Sequence, residues 1–142
     1  MLRLAASAAA ATLLLIAVPA VAQTADSSVV LTFQTGARTG SVMVALYNSE
    51  ASYEGGAAVA HMAVPANSGA VVARFDHLPA GEYAVKSFHD VDGDGRMDAN
   101  PFGMPTEPYA FSNNAIGNMG PARWERARFR VSGRTAQTIT LR

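Results

Sequence analysis

The side chains best placed to do chemistry lie in one short run, Asp90-Val91-Asp92-Gly93-Asp94-Gly95-Arg96-Met97-Asp98. It reads D-x-D-x-D-G-x-x-D, the first nine positions of a calcium loop of the EF-hand kind. Carboxylates at alternate positions can converge on one hard cation, and Gly95 stands where such a loop turns sharply. In that scheme Asp90, Asp92 and Asp94 ligate directly. The Arg96 carbonyl takes the seventh position, and Asp98 takes the ninth, directly or through water. Position twelve is Pro101, which has no carboxylate to offer, and no helices are predicted on either side. Asn100 and Glu107 are the candidates to fold back and supply the missing ligand. A site short of one ligand is expected to be weak, with Kd about 10⁻⁴–10⁻³ M. The same residues also suit an acidic, solvated turn, since Asp and Gly are favoured there.

Other residues offer less. The histidines are His61, His77 and His89, and their spacings match no standard transition-metal site. His89 adjoins Asp90, and Ser87 and Ser112 carry hydroxyls, so a hydrolase built on His89 is one alternative. It lacks a nucleophile elbow, and strand histidines are ordinarily packed or hydrogen-bonded. Tyr109, Phe111 and Trp124 could form an aromatic platform for a carbohydrate or small ligand. Arg126, Arg128 and Arg130 alternate, which predicts one face of a strand, read either as an anion-binding stripe or as a solvated face that discourages edge pairing.

These residues need a scaffold, and the chain predicts an all-β one. Val29/Leu31/Phe33, Val42/Val44/Leu46, Val59/His61/Ala63, Val71/Ala73/Phe75, Tyr83/Val85/Ser87, Ala127/Phe129/Val131 and Ile139/Leu141 each alternate with the residues between them. A period of two, rich in valine, threonine and aromatics, is the strand signal. About seven such runs imply a single antiparallel β-sandwich of the immunoglobulin or transthyretin kind, with Val44, Leu46, Phe75, Tyr83, Val85, Phe129 and Ile139 in its core. Gly36 to Gly40, Asn67-Ser68-Gly69 and Ser132-Gly133 are expected to be hairpin turns. Residues 49–57 could form one irregular helical turn. Between Asp90 and Trp124 some 35 residues show no strand pattern. A loop of that length is usually functional or disordered, and its aromatics favour order.

The first 22 residues read as a signal peptide. Arg3 is the only charge before Asp26, an apolar run extends from Leu4 to Val18, and Ala20-Val21-Ala22 is a small-x-small cleavage site. The expected products are a segment 1–22 and a β-sandwich domain 23–142, periplasmic or secreted, with no membrane span after cleavage. Without Arg3 the chain has ten basic and eleven acidic residues. That balance excludes the strong basic surplus of a nucleic-acid binder and gives no reason to expect docking on anionic lipid. Cysteine is absent, so neither a lipid-anchored cysteine nor a disulfide is available. Stability must rest on core packing or bound metal.

Two stretches carry a family resemblance. Leu78-Pro79-Ala80-Gly81-Glu82-Tyr83-Ala84-Val85 resembles the L-P-x-G-x-Y-x-V signature of transthyretin-like and carboxypeptidase-regulatory-like sandwiches, whose tyrosine pins a corner between strands. Phe88-His89-Asp90, the aspartate loop, Gly103-x-Pro105-x-Glu107-x-Tyr109 and Phe111-Ser112-Asn113-Asn114-Ala115 resemble the secreted bacterial family called domain of unknown function 2141. Where that family usually reads Y-G-F-S-N-N, Ala110 stands in place of the glycine. The resemblance implies an exported β-sandwich and carries over no catalytic residues. The expectation is therefore a non-enzymatic envelope module, its long loop ordered by, or sensing, a divalent cation such as calcium, which presents a surface to an unknown envelope protein or glycan.

Overall fold

The computed structural model describes residues 26–67 and 70–142. The signal-peptide segment and part of the Asn67-Ser68-Gly69 turn lie outside them. Eight strands are described: β1 (Ser27–Gln34), β2 (Ser41–Tyr47), β3 (Ala60–Pro65), β4 (Val71–Leu78), β5 (Gly81–Asp90), β6 (Tyr109–Phe111), β7 (Phe129–Val131) and β8 (Arg134–Thr140). They form two sheets, one ordered β4-β1-β8 and the other β3-β2-β5-β6, with β7 also pairing β5. Among the described residues, helix is confined to α1 (Glu50–Gly55), α2 (Trp124–Ala127) and a 3-10 turn at Ser112–Asn114. Among the described residues, no helix is long and apolar enough to cross a membrane.

Most of the alternating runs bury the expected face, but in β3 it is Ala60, Met62 and Val64 that pack on the core while Val59, His61 and Ala63 are exposed. Val29, Leu31 and Phe33 of β1 meet Val42, Val44 and Leu46 of β2 in one core, joined by Val71, Ala73, Phe75, Tyr83, Val85 and Ile139. Phe129 is only partly buried and packs on that core from the side. A second, smaller cluster covers the outer face of β5, where Tyr53, Phe111, Trp124 and Ala127 pack around Ala84. Tyr83, Ala84 and Val85 are consequently buried on both faces of the sheet. That double burial makes β5 the central strand.

Four further expectations need correction. The chain turns at Gly36–Gly40 and Ser132–Gly133 are not hairpins: each carries the chain from one sheet to the other. β3 and β4, on either side of Asn67–Gly69, likewise belong to different sheets. Turn residues announce a reversal, but the pairing depends on which sheet has room for the next apolar face. The sandwich is also not wholly antiparallel, because β1 and β8 pair in parallel, from Ser28↔Arg134 to Gln34↔Thr140. The 126–131 run is not one strand. Arg126 lies in α2, Arg128 caps it, and only Arg130 belongs to β7, so the three guanidinium groups share no strand face. Finally, the long segment after Asp90 is not without strand structure: Tyr109–Phe111 pairs with Lys86–Phe88. Three residues are too few to show a period.

Candidate functional site

The aspartate loop grows out of the last residue of β5. Asp90 is paired with Ser41 of β2 and is buried. Gly40 packs against it so closely that a Cβ there would lie 1.9 Å from the Asp90 carbonyl oxygen. From this fixed root the chain coils. The Asp90 carboxylate accepts the Gly93 N–H at 2.8 Å on Oδ1 and the Gly95 N–H at 2.9 Å on Oδ2. Both glycines have left-handed backbones, φ +82° and +81°, as a tight turn at those positions requires. Asp92 Oδ1 accepts the Asp94 N–H at 3.1 Å, and Asp94 Oδ1 accepts the Arg96 N–H at 2.7 Å.

Glu107 then returns from the far side of the segment. Its Oε1 accepts the Val91 N–H at 2.8 Å and its Oε2 the Asp98 N–H at 3.2 Å. The Thr106 N–H donates to the Asp98 carbonyl, and Ala99 bridges Pro105, so residues 98–106 form a small antiparallel finger that delivers Glu107. As a result, one carboxylate oxygen each from Asp90, Asp92 and Glu107 lie within 4.8 Å of one another. Oxygens bound at about 2.3–2.6 Å to one calcium ion have separations of up to that order. Asp90 and Glu107 are buried and Asp92 is exposed. Each oxygen of a carboxylate has two lone pairs, so one N–H bond apiece leaves capacity for a cation.

Asp94 and Asp98 fall outside this group of three, and Arg96 is exposed. Their charges are nevertheless felt. The Asp98 carboxyl is pushed above the usual carboxylate range, first by the Asp92 charge, then by desolvation and by Asp94, Glu107 and Asp90. The cause is negative charge held close by. Glu107 was legible in sequence only as one of two residues able to fold back. The finger, set by backbone pairing, is what selects it. The other, Asn100, turns the finger itself: its Oδ1 accepts the Phe102 and Met104 N–H groups.

The remaining candidates are placed differently. His89 is fully buried, and its Nε2–H donates to the Thr39 carbonyl at 2.7 Å, which leaves Nδ1 buried with no partner among the described residues. Ser87 Oγ donates to the Ala110 carbonyl. Ser112 Oγ donates to Ala127 and accepts the Val85 N–H. Both hydroxyls are thus committed to backbone partners. The aromatic platform is not assembled. Trp124 and Phe111 are both buried in the cluster around Ala84, Trp124 against Tyr53 with ring centroids 5.8 Å apart, so only Tyr109, edge to face with Phe111, is left exposed. A shallow cleft of about 150 Å³ does lie beside Tyr109, bordered by Phe111, Ile116, Thr140 and Arg142.

The two sequence signatures hold the fold together. Tyr83 donates its hydroxyl to the Pro79 carbonyl at 2.8 Å, the expected corner. In F-S-N-N, Asn113 and Asn114 have φ of +60° and +50°, a region that asparagine tolerates better than most residues. The Asn113 amide donates to the Arg126 and Arg128 carbonyls and accepts from Gln137. The Asn114 side chain donates to the Thr138 carbonyl and accepts the Thr140 N–H. The Asn114 amide thus caps the outer edge of β8, which has no strand partner there among the described residues, and the Asn113 amide ties α2 to that edge through Gln137. Ala110 is extended within β6, so its position does not require glycine.

Together the fold and the loop define a small two-sheet sandwich with an acidic, finger-closed loop at the end of its central strand. A family model described as "Uncharacterized protein conserved in bacteria (DUF2141)" matches residues 34–140, and the chain belongs to that family. No curated protein and no solved structure matches it.

Proposed function

We propose that this chain is an exported, non-enzymatic β-sandwich module whose Asp90–Glu107 segment binds a divalent cation, calcium in preference to magnesium, and displays the ordered finger to an envelope protein or glycan. The observation that carries the reading is the convergence of Asp90, Asp92 and Glu107, two of them buried, from positions 17 residues apart. Nearly buried carboxylates that repel one another are stabilised by a cation. Three carboxylates leave the remaining coordination to water and backbone carbonyls, which suits the flexible shell of calcium and a Kd of about 10⁻⁴–10⁻³ M. Magnesium demands a tighter octahedron and releases its waters reluctantly. Export rests on the charged start, apolar run and small-x-small site of residues 1–22.

Calorimetric titration with calcium and with magnesium tests the cation. Calcium at 1 mM is expected to stabilise the protein by about 0.4–1.4 kcal/mol across that range of Kd, or roughly 2–6 °C in Tm. Glu107→Gln and Asp92→Asn should each weaken the response, and Glu50→Gln, remote from the loop, should leave it intact. A wild-type response to calcium no different from that of Asp92→Asn would make the loop an acidic turn. Mass spectrometry of the envelope fraction tests export, with Gln23 the expected N-terminus.

A further inference from the structure

We propose that two copies of this chain pair through β3, antiparallel about a two-fold axis at Met62, so that their larger sheets join into one. Among the described residues β3 ends its sheet. A strand in that place offers a row of unpaired N–H and C=O groups to another extended chain. The ladder on its inner side says which groups those are. The Ala66 N–H donates to the Gly40 carbonyl, one step beyond the Ser41↔Pro65 pair of the β2–β3 register. Hydrogen-bonded pairs alternate along an antiparallel ladder, so Ala60, Met62 and Val64 turn their backbone groups to β2. His61 and Ala63 turn theirs outward. So does Pro65, which has a carbonyl to offer and no N–H to leave unmet.

The other edges are guarded. β4 exposes Arg74 and Asp76, its register on β1 slips between Ser27 and Val29, and His77 near its end has φ +56°. The outer edge of β8 is capped by Asn114, and Tyr109 of β6 exchanges both backbone bonds with Arg142. Charge, bulges and covering groups are the usual means of keeping an edge from pairing. β3 has no charged residue, no slip in its register and no proline before its last position. From Gly55 to Ala73 the chain contains no Asp, Glu, Lys or Arg, and neither does β2. Charges on the strands nearby are committed elsewhere. Lys86 donates to the Tyr53 carbonyl and lies 4.3 Å from the Tyr53 ring centroid, and Arg74 pairs with Asp76.

This neutrality favours a second copy as the occupant. An identical strand brings no like charge to the contact, whereas a charged strand would find no opposite charge there. Outward groups must meet outward groups. The register that overlaps β3 most fully then sets His61 opposite the partner's Ala63, each exchanging N–H and C=O bonds with the other, and Met62 opposite its own counterpart on the axis. Such a contact is isologous: it uses both free edges and closes at the dimer. One strand pair buries less than the roughly 800 Å² per partner of a standard interface, so a Kd on the order of 100 μM is expected. The inference does not depend on the cation reading.

Sedimentation of the purified protein in chelator tests it. Weight-average mass should rise toward that of a dimer as concentration approaches about 500 μM. It should do so equally at about 20 mM and about 300 mM salt, since no ion pair crosses the contact. Ala63→Pro removes an outward N–H that the β2 ladder does not use, so the variant should stay monomeric while melting like wild type. If proline lowers the melt, His61→Lys with Ala63→Lys replaces it, setting like charges opposite one another with the same expected result. The chain has no cysteine, so a single introduced one reports the register. Opposite residues of a non-hydrogen-bonded pair have Cα atoms about 4.5 Å apart, within disulfide reach, and Met62→Cys should link two copies on oxidation. Val64→Cys, about 13 Å from its counterpart along the strand, should not. The proposal is overturned by a wild type that stays monomeric, by association that salt disperses, by edge variants that associate as wild type does, or by Met62→Cys linking no faster than Val64→Cys.

Discussion

Gly40→Ala probes how the loop is anchored. Gly40 has φ +67°, a region where an L side chain costs about 1–2 kcal/mol. The added Cβ would also lie 1.9 Å from the Asp90 carbonyl oxygen, 2.9 Å from its carbon and 3.0 Å from the Val91 carbon. All three are backbone atoms, so no side chain can swing aside, and the end of β5 must shift. Overpacking of this kind costs about 1–3 kcal/mol. The two contributions together give roughly 2–5 kcal/mol, or about 8–20 °C in Tm for a domain of this size. Urea denaturation in chelator measures it without a contribution from metal. Gly36→Ala is the matched control: it lies in the same connection, has no atom within 4 Å of its added Cβ, and should change stability by less than about 0.5 kcal/mol. Amide resonances of Val91 to Gly95 should move in Gly40→Ala and not in Gly36→Ala. A Gly40→Ala cost below about 1 kcal/mol would refute the close packing of the β1–β2 connection on Asp90.

Other expectations follow from single contacts. Tyr83→Phe loses the hydroxyl bond to Pro79 and should cost about 1 kcal/mol, near 4 °C in a thermal melt. Ser112→Ala leaves the buried Val85 N–H and Ala127 carbonyl without their partner and should cost about 2–4 kcal/mol in denaturant; a cost near zero would mean that water replaces the hydroxyl. Val85→Ala opens space in the middle of the core and should cost about 1–3 kcal/mol by the same measurement. The raised Asp98 carboxyl has a definite sign. Its protonated form is favoured in the folded state, so its stabilising contribution is present below the unfolded value of 3.8 and is lost as pH rises through the raised folded value. In chelator, Asp98→Asn should therefore melt higher than wild type at pH 7, and the two should converge as the solution is acidified. A variant that melts below wild type at pH 7 would refute the repulsion.

The strands and the core were legible because burying one face of a strand imposes a period of two that local composition records. Val29, Leu31 and Phe33, or Val42, Val44 and Leu46, announce their burial without reference to any partner. The Tyr83 corner and the Gly95 turn were equally local, since each depends on a few neighbouring residues. What sequence could not decide was pairing across distance. The parallel β1–β8 ladder, the crossing of the Gly36–Gly40 and Ser132–Gly133 turns between sheets and the three-residue β6 arise from where apolar faces find room once the sheets assemble. The same holds for the site. Alternate aspartates state their own spacing, but Asp94 and Asp98 lie outside the group that forms, and Glu107 enters it because the Asp98–Thr106 and Ala99–Pro105 pairings bring the chain back. A carboxylate 17 residues away in sequence has no local pattern that marks it as a partner. Only the closed finger, a product of backbone hydrogen bonding, puts its charge beside Asp90.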